Sequence, residues 1–334
     1  MIGGKIGIDL GTANCFVWVE GEGIVLEEPT VVAVTVDNNK VVAVGSEAKQ
    51  MLGRTPESIT ASRPMKDGVI ADYAVTEAML RFFIQKVKGK SFFFKPEVMI
   101  CVPAGCTQVE RRAVMDAALS SGAKDVYLID EPLAAAIGAD IPIGAASGSM
   151  IVDIGGGAAE AAVVSLGSVV ISHSIRMAGN KIDEAISSFV RKKHNLIIGE
   201  QTAEEVKLKL GSAIALPKSE IMEIKGRDSI MGLPKMIEIT STEVLEAIRP
   251  VLNQIVGVVK SVLEETPPEL ASDIIDRGIV MTGGTSLLRG LDKYMTEETG
   301  VPAHVAENAL KCVINGVSIA LQNLEKYKQN ISKH

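Results

Sequence analysis

The amino-acid sequence is short of several features that mark particular classes of protein. No apolar run in its 334 residues approaches the roughly 20 residues of a membrane-spanning helix, so we expect no transmembrane segment. Basic residues are not in excess either, since the formal net charge is −7 at pH 7. Because general nucleic-acid binding needs a basic face, we expect no nucleic-acid partner.

Cysteine is scarce, and its spacing is not that of a metal site. Cys101 and Cys106 form a loose pair with no histidine nearby, and the other two cysteines are Cys15 and Cys312. We therefore expect reduced, mostly buried thiols in a cytosolic protein. We also expect no signal peptide before Lys5, where the first predicted strand begins.

What the sequence does contain is a glycine turn between two apolar segments, within residues 150–170. A β-branched segment predicts a buried strand that ends at Asp153, and a second strand returns after the turn. The three glycines at 155–157 carry no Cβ atoms, so their backbone N–H groups can approach an anion such as phosphate. Most glycine clusters are only tight turns, so this stretch alone leaves both interpretations open.

The same pattern occurs near the N-terminus. Asp153 follows Asp9 by 144 residues, and Gly155 follows Gly11 by the same spacing. This internal repeat predicts a duplicated strand, acidic turn and strand, with one copy in each half of a chain long enough for two domains. Two such turns facing each other would grip a polyphosphate, with Asp9 and Asp153 holding a hydrated Mg²⁺. With these hairpins the chain resembles the actin, Hsp70 and sugar-kinase superfamily of ATPases.

The remaining pattern is that of an alternating α/β chain. Strands are predicted at 30–36, 40–44, 97–102, 126–130 and 279–282, and helices at 46–52, 75–87, 108–120, from 132, from 179, at 202–210 and 312–324. The residues from Glu325 onward are polar and mildly basic, so we expect a frayed end. A weak second membrane contact is the alternative for this tail.

Three of the seven phenylalanines stand together in a predicted loop, as Phe92, Phe93 and Phe94. Lysines frame them at positions 86, 88, 90 and 95. The alternative is that the rings fold back onto the core, but three in succession cannot all point inward from a short connection. We predict that these rings enter the interface of an anionic membrane while the lysines meet the lipid head groups.

Glu131 stands at the end of the strand predicted at 126–130. Pro132 follows it and starts an alanine-rich helix, as proline does at a first helical position. An acid at this place faces the cleft between the two halves, and we predict that it orients the water that attacks a γ-phosphate. The alternative is that its charge only favours the positive end of the helix.

Six long runs make the chain similar to the bacterial actin MreB family over nearly its whole length. They are IGIDLGTAN at 6–14, RPMKDGVIADY at 63–73, IDEPLAAAIGA at 129–139, TAEEVKLKLGSA at 202–213, TPPELASDIIDRGIVMTGG at 266–284 and LLRGLDKYMTEETGVP at 287–302. The resemblance implies an α/β, actin-like fold, which is a duplicated ribonuclease H-like fold with two large and two small subdomains around a nucleotide cleft. The implied boundaries are 1–31, 74–139 and 313–334 for the first large subdomain, 32–73 for the first small one, 140–180 and 244–312 for the second large one, and 181–243 for the second small one.

The resemblance also implies cofactors and site residues. ATP or ADP would lie in the cleft with Mg²⁺ held by Asp9 and Asp153, and Glu131 would be catalytic. The positions implied to bind the nucleotide are Thr12, Ala13, Asn14, Gly155, Gly156, Gly157, Ala158, Glu204, Glu205, Lys207, Gly283, Gly284, Thr285 and Ser286. Members usually have a third glycine where Thr285 stands, so we expect that contact to be rearranged.

The implied function is that of a filament protein in the cytoplasm. Members form antiparallel double protofilaments beneath the cell membrane and govern cell shape, so the implied partners are further copies of the chain, an anionic membrane surface and paralogous bacterial actins. The alternative, from another class, is a monomeric Hsp70-like or sugar-kinase-like ATPase of the same superfamily.

One departure from the family bears on hydrolysis. Ala158 and Ala159 stand where typical members have two hydroxyl residues after the glycine turn. Oxygens expected near the γ-phosphate and its attacking water are therefore missing, and we expect a slow ATPase that still binds nucleotide. The alternative is that another hydroxyl, such as that of Thr12, compensates.

Overall fold

The computed structural model describes residues 4–37, 40–88 and 95–333. The first half of the chain contains strands β1 Lys5–Leu10, β2 Asn14–Val19, β3 Gly23–Pro29, β4 Val32–Thr35, β5 Val41–Val44, helix α1 Ser46–Met51, strands β6 Ile59–Ser62, β7 Met65–Lys66, β8 Val69–Ile70, helix α2 Tyr73–Lys88, strand β9 Glu97–Val102, helix α3 Gln108–Ser120, strand β10 Asp125–Asp130 and helix α4 Glu131–Gly138.

The rest of the chain, from residue 149 onward, begins and ends with a strand. Its elements are β11 Ser149–Ile154, β12 Ala159–Ser165, β13 Ser168–Ile175, α5 Gly179–His194, β14 Leu196–Ile197, α6 Glu200–Leu210, β15 Ile221–Asp228, β16 Pro234–Thr240, α7 Ser241–Glu265, α8 Pro268–Arg277, β17 Ile279–Thr282, α9 Leu291–Thr299, β18 Ala303–Val305, α10 Cys312–Gln322, α11 Leu324–Tyr327 and β19 Ile331–Lys333. Short 3₁₀ helices lie at Gly284–Leu287, Ala309–Lys311 and Lys328–Asn330.

Two large sheets repeat one topology. The first has the order β19-β10-β9-β1-β2-β3 and the second β13-β12-β11-β17-β18. In each, an antiparallel three-stranded meander is followed by two strands that run parallel to its first strand. The predicted duplication of the strand, turn and strand unit is therefore confirmed.

The duplication extends to the register of the first hairpin in each sheet. Asp9 lies opposite Phe16 across β1 and β2, and Asp153 lies opposite Glu160 across β11 and β12. Asp153 follows Asp9 by 144 residues, and Glu160 follows Phe16 by the same spacing, so equivalent residues pair in both hairpins. Each acid consequently stands at the carboxyl end of a first strand, beside the turn that follows it.

The central strands are apolar throughout because both of their faces are covered. Every residue of β11 is buried, and alternate residues enter different cores. Met150 and Val152 pack with α5 and α7, whereas Ile151 packs with residues of α4 and α10 in a core that also contains Phe16 and Val164. Helices α4 and α10 therefore lie between the two large sheets and join them.

Smaller sheets flank the two large ones. β5, β4 and β6 form one with α1, around a small core that includes Val31 and Ala48. β14, β15 and β16 form the other, next to α5 and α6. The exact boundaries of the four subdomains stay a prediction.

The C-terminal tail differs from the prediction. It does not fray, since β19 pairs antiparallel with β10 and extends the first large sheet by one strand. Tyr327 is buried, and Lys333 lies 3.3 Å from the carboxylate of Asp125 and over the ring of Tyr127. The polar composition concealed these anchors because they depend on residues far away in the sequence.

Backbone contact between α4 and α10 sets the spacing of the two halves. A Cβ atom on Gly316 would lie deep inside the carbonyl of Ala134, and one on Gly138 would collide with the carbonyl of Cys312. Only glycine fits at these positions, because close packing leaves no room for a methyl group. The start of α4, which carries Glu131, is thereby fixed relative to both sheets.

We predict that Gly316→Ala lowers the midpoint of thermal unfolding by several degrees, because overpacking a closed core costs on the order of 1–3 kcal/mol or more. Gly257→Ala is the matched control. Gly257 also lies within a helix, but its added Cβ atom would meet nothing within 4 Å, so this variant should be as stable as the wild type or more stable. Equal midpoints for the two variants would contradict the proposed helix contact.

Candidate functional site

A cavity of about 420 Å³ lies between the two large sheets and the two smaller ones, a size within the usual range for ligand sites. Nearly all of the residues that the sequence singles out for the nucleotide, the metal and catalysis line it. They are Asp9, Thr12, Ala13, Asn14, Glu131, Asp153, Gly155, Gly156, Gly157, Ala158, Glu204, Lys207, Gly283, Gly284 and Thr285.

Two predicted positions do not line the cavity. The carboxylate of Glu205 points away and pairs with Lys209 at 2.7 Å on the exposed side of α6. The hydroxyl of Ser286 is buried and donates to the carbonyl of Gly283 at 2.6 Å. Ser286 therefore holds the shape of the glycine turn, and its side chain makes no wall of the cavity.

The two glycine turns pack against each other at one end of the cavity. A Cβ atom on Gly156 would lie 2.5 Å from the methyl group of Ala13, and one on Gly157 would collide with the hydroxyl of Thr12. Within the described ranges, the N–H groups of Gly156, Gly157, Thr12 and Ala13 have no acceptor. Unpaired N–H groups on facing turns form an anion-binding concavity.

Hydroxyl groups hold both turns from behind. Thr30 donates to the carbonyl of Gly11 at 2.6 Å, and Thr285 donates to the carbonyl of Gly155 at 2.7 Å. The first N–H groups of α5 donate to the carbonyls of Gly155 and Gly156. The carbonyls of Gly155 and Gly156 thus accept hydrogen bonds from groups behind the turn. Thr285 therefore helps to hold this turn, and the structure shows which contact the residue at this position makes.

Asp9 and Asp153 lie at the floor of the cavity and are both buried. Burial raises the pKa of Asp9 to about 7, and the neighbouring carboxylate of Asp153 adds to the shift. Burial likewise raises the pKa of Asp153 to about 6, although the hydroxyl of Thr282 donates to it at 2.8 Å. Two buried carboxylates at one floor, each with a raised pKa, favour a bound cation.

Protein side chains alone do not complete a metal site here. Over the part of the chain that the structure describes, no three His, Cys, Asp or Glu residues are grouped closely enough to hold a metal ion. A cation held by two carboxylates would take its remaining ligands from water or from a bound ligand.

Glu131 is the first residue of α4, and its carboxylate accepts no hydrogen bond from the described residues. Burial raises its pKa well above the usual range, and the carboxylates of Glu160 and Asp9 raise it further. Its neighbour Asp130 points elsewhere and pairs with Arg111. Glu131 is therefore an acid that faces the cavity free of protein partners.

Glu160 is an acid that the sequence did not single out. It lies on β12, is 1% exposed, and accepts the N–H of Ala104 at 3.1 Å. Burial raises its pKa despite that hydrogen bond. Its only sequence signal was an acid in an otherwise apolar strand, seven residues after Asp153.

On the opposite side of the cavity, Lys207 pairs with Asp183 at 2.8 Å and also donates to the carbonyl of Gly179. Burial raises the pKa of Asp183 to about 6, and its second oxygen is buried without a hydrogen-bond partner in the described structure. An unpaired acceptor beside a cavity is suited to a ligand hydroxyl. Asp183 belongs to the cavity although the sequence analysis gave it no role.

The mouth of the cavity is bridged by α1 and α6. Lys49 pairs with Glu204 at 2.7 Å, and Gln201 donates to the backbone carbonyl of Lys49 at 2.6 Å. Arg63 lies 3.8 Å from Glu200 beside this bridge. Sequence reasoning could not find these pairs, because the partners are more than 130 residues apart.

Only one of the two alanines after the glycine turn faces the cavity. Ala158 lines it, whereas Ala159 begins β12 with its methyl group in the core. The turn at Gly68 lies close to Ala158 and donates its N–H to the hydroxyl oxygen of Thr12 at 3.0 Å. In the described part of the chain the O–H of Thr12 has no acceptor, so it can donate to a ligand while its oxygen accepts the N–H of Gly68.

The predicted membrane residues Phe92, Phe93 and Phe94 lie outside the described residues, so that prediction stays untested. Of the lysines that frame them, Lys86 lies 3.6 Å from Glu28, and Lys95 is exposed. Among the described helices, none is both long and apolar enough to cross a bilayer.

Comparison with known proteins identifies the family to which the sequence is similar. The chain matches the family described as MreB/Mbl protein over residues 3–329. It is 50% identical over 326 residues to the cell shape-determining protein Mbl of Bacillus cereus, covering 98% of each chain. It is 51% identical over 332 residues to the cell shape-determining protein MreB of Escherichia coli, covering 98% of this chain and 96% of that protein.

A solved structure is also similar over the full length. The crystal structure of MreB5 of Spiroplasma citri bound to AMPPNP has a TM-score of 0.93 and 37% sequence identity, and the match covers 99% of both chains. The ADP-bound crystal structure of the same protein gives a TM-score of 0.92 over 98% of this chain and 99% of that one.

Proposed function

Because the chain belongs to the MreB/Mbl protein family and has its actin-like fold, we propose that it is an ATP-binding bacterial actin that forms membrane-associated filaments and governs cell shape. The observation that carries the proposal is the pair of facing glycine turns, whose unpaired N–H groups meet two buried carboxylates at one end of a single cavity. Relatives in other bacteria are cell shape-determining proteins.

The cavity offers each part of an adenine nucleotide a suitable environment. Phosphates would lie against the N–H groups of the turns at 11–13 and 155–157. The adenosine would lie between Lys207 and the turn at Gly283 and Gly284, near the unpaired oxygen of Asp183. The structural relative MreB5 binds ADP and AMPPNP, which supports the same ligand class here.

Mg²⁺ fits the carboxylates of Asp9 and Asp153, which are buried beside the phosphate turns. When bound, the ion would neutralise phosphate charge that these acids alone would repel. Glu131, free of protein partners, would accept a hydrogen bond from the water that attacks the γ-phosphate.

Further finer points belong to this proposal. The filaments would be antiparallel double protofilaments at the inner face of the cell membrane, in the cytoplasm, with paralogous bacterial actins as additional partners. The alternative remains a monomeric Hsp70-like or sugar-kinase-like ATPase. Electron microscopy with ATP, with ADP and without nucleotide, on lipid and off it, separates the two, because only a filament protein assembles in response to nucleotide.

We predict that Asp9→Asn and Asp153→Asn each weaken Mg²⁺-dependent ATP binding at least about tenfold, because each removes a charge that holds the hydrated ion. Calorimetry with Mg²⁺ and with a chelator measures the effect. Asp116→Asn is the control, since Asp116 lies on the exposed side of α3. Wild-type affinity in both cavity variants would show that the two carboxylates do not hold the ion.

For the membrane, we predict that replacing Phe92, Phe93 and Phe94 together with serine abolishes co-sedimentation with anionic liposomes at moderate salt and leaves ATP affinity unchanged. The physical reason is the loss of apolar area that would enter the lipid interface. Serine in place of the exposed Val109 on α3 is a control for general loss of surface hydrophobicity. Undiminished liposome binding of the triple variant would reject this membrane site.

For hydrolysis, we predict slow phosphate release by the wild type and faster release by Ala158→Thr, on the order of 10- to 100-fold, because a hydroxyl would again position the water. Adding Glu131→Ala should cancel this gain. Ala159→Thr is the matched control, since its side chain enters the core and cannot reach the cavity. No gain for Ala158→Thr at saturating ATP would show that the missing hydroxyl does not limit the rate.

A further inference from the structure

The position of Glu160 is unusual when it is compared with its duplicate in the first half. In the first hairpin, Phe16 lies opposite Asp9. In the second hairpin, Glu160 occupies the equivalent position, opposite Asp153. Phe16 is buried in the core between the two sheets, as is usual for an apolar side chain on a strand face that is covered. In the second hairpin the equivalent side chain is an acid that is only 1% exposed.

Burying a carboxylate is costly unless a cation or several donors compensate it. Within the described ranges Glu160 forms no ion pair, and its carboxylate accepts a hydrogen bond only from the backbone N–H of Ala104. Its two oxygens lie 3.1 and 3.3 Å from the nitrogen of Ala104. A polar group retained at such a cost usually serves something other than stability.

These hydrogen bonds cross from one half of the protein to the other. Glu160 belongs to β12 in the second large sheet, whereas Ala104 and Gly105 follow β9 in the first. The same loop is in close contact with the second half at Gly105, where a Cβ atom would collide with the hydroxyl of Ser174. The loop 103–107 is therefore seated on the second sheet, beside the floor of the cavity.

The loop that Glu160 holds lies beside Glu131, because β9 and β10 pair side by side up to Val102 and Asp130, and Glu131 is the next residue of the chain. Glu131 comes from the first half, at the start of α4, while the glycine turn at 155–157 comes from the second. The distance between Glu131 and that turn therefore depends on how the two halves are held together at this end of the cavity.

We propose that Glu160 is a positioning residue, which ties the loop at Ala104 to β12 and so holds Glu131 at its working distance from the phosphate turn. Glu160 itself does not touch the nucleotide, since it is not among the residues that line the cavity. The kinetic consequence of this role rests on the proposed ATP hydrolysis, whereas the tie between the two halves does not.

Glu160→Leu and Glu160→Gln test the proposal together. Leucine removes the acceptor, so the Ala104 N–H should exchange with solvent faster, and kcat for phosphate release should fall by about 10- to 100-fold, the cost of a misplaced reacting group. ATP affinity should not change, and the midpoint of thermal unfolding should stay within a few degrees, because replacing a buried charge with an apolar group is often neutral. Glutamine keeps one accepting oxygen and should recover both the exchange protection and most of the rate.

Arg176→Ala is the control from the same interface. Its ion pair with Glu110 also joins the two halves, at 3.2 Å, but the side chain of Arg176 is 59% exposed and water screens the pair, so its loss should change neither exchange at Ala104 nor kcat. Wild-type exchange in Glu160→Leu would overturn the tie between the halves. Unfolding of that variant, joint loss of ATP affinity and kcat, or failure of glutamine to recover the rate would overturn the positioning role.

Failure of the proposed function would look different. If the wild type binds no ATP or releases no phosphate, the nucleotide assignment fails, and hydrogen exchange at Ala104 without nucleotide still decides whether Glu160 ties the two halves. Hydrogen exchange and calorimetry therefore judge the two ideas separately.

Discussion

Three carboxylates, those of Asp9, Asp153 and Glu131, line one cavity and a fourth, that of Glu160, is buried behind its wall, and the rest of the site depends on how the protein tolerates that charge. Asp9, Asp153, Glu131 and Glu160 all have raised pKa values, chiefly because of burial. Among the described residues, the donors to these carboxylates are neutral groups, such as the hydroxyl of Thr282 and the N–H of Ala104. Phosphate would be repelled by such a floor, so an anion can bind here only together with a cation or with protons.

The internal duplication explains why the site contains two acids and two glycine turns. Each half supplies one acid at the end of its first strand and one glycine turn beside it, and the shared register brings both to the same depth. The two copies have diverged where they meet the other half, since Phe16 serves the core and Glu160 reaches across the interface. A difference at one equivalent position, Phe16 in one hairpin and Glu160 in the other, thus makes the two sides of the site unlike.

Features that depend on neighbours in sequence could be predicted, whereas pairings between distant residues could not. The glycine turns, the strands that precede them and the proline at the start of α4 are local signals, and the structure has each of them. Lys49 and Asp183 gave no local signal, and Glu160 gave only that of an acid in an apolar strand, because their roles depend on partners in other elements. The tail was mispredicted for the same reason, as β19 is ordered by β10 rather than by its own polar sequence.

Contacts between the two halves occur at both ends of the cavity, and they differ in kind. At the mouth, the charged pair Lys49 and Glu204 is partly exposed, so water and salt compete with it and its opening costs little. At the floor, Glu160 and Ala104 meet where the carboxylate is shielded from solvent, beside the close contact of α4 and α10. The contact at the mouth is therefore weaker than the contacts at the floor, where the acids and the glycine turns lie.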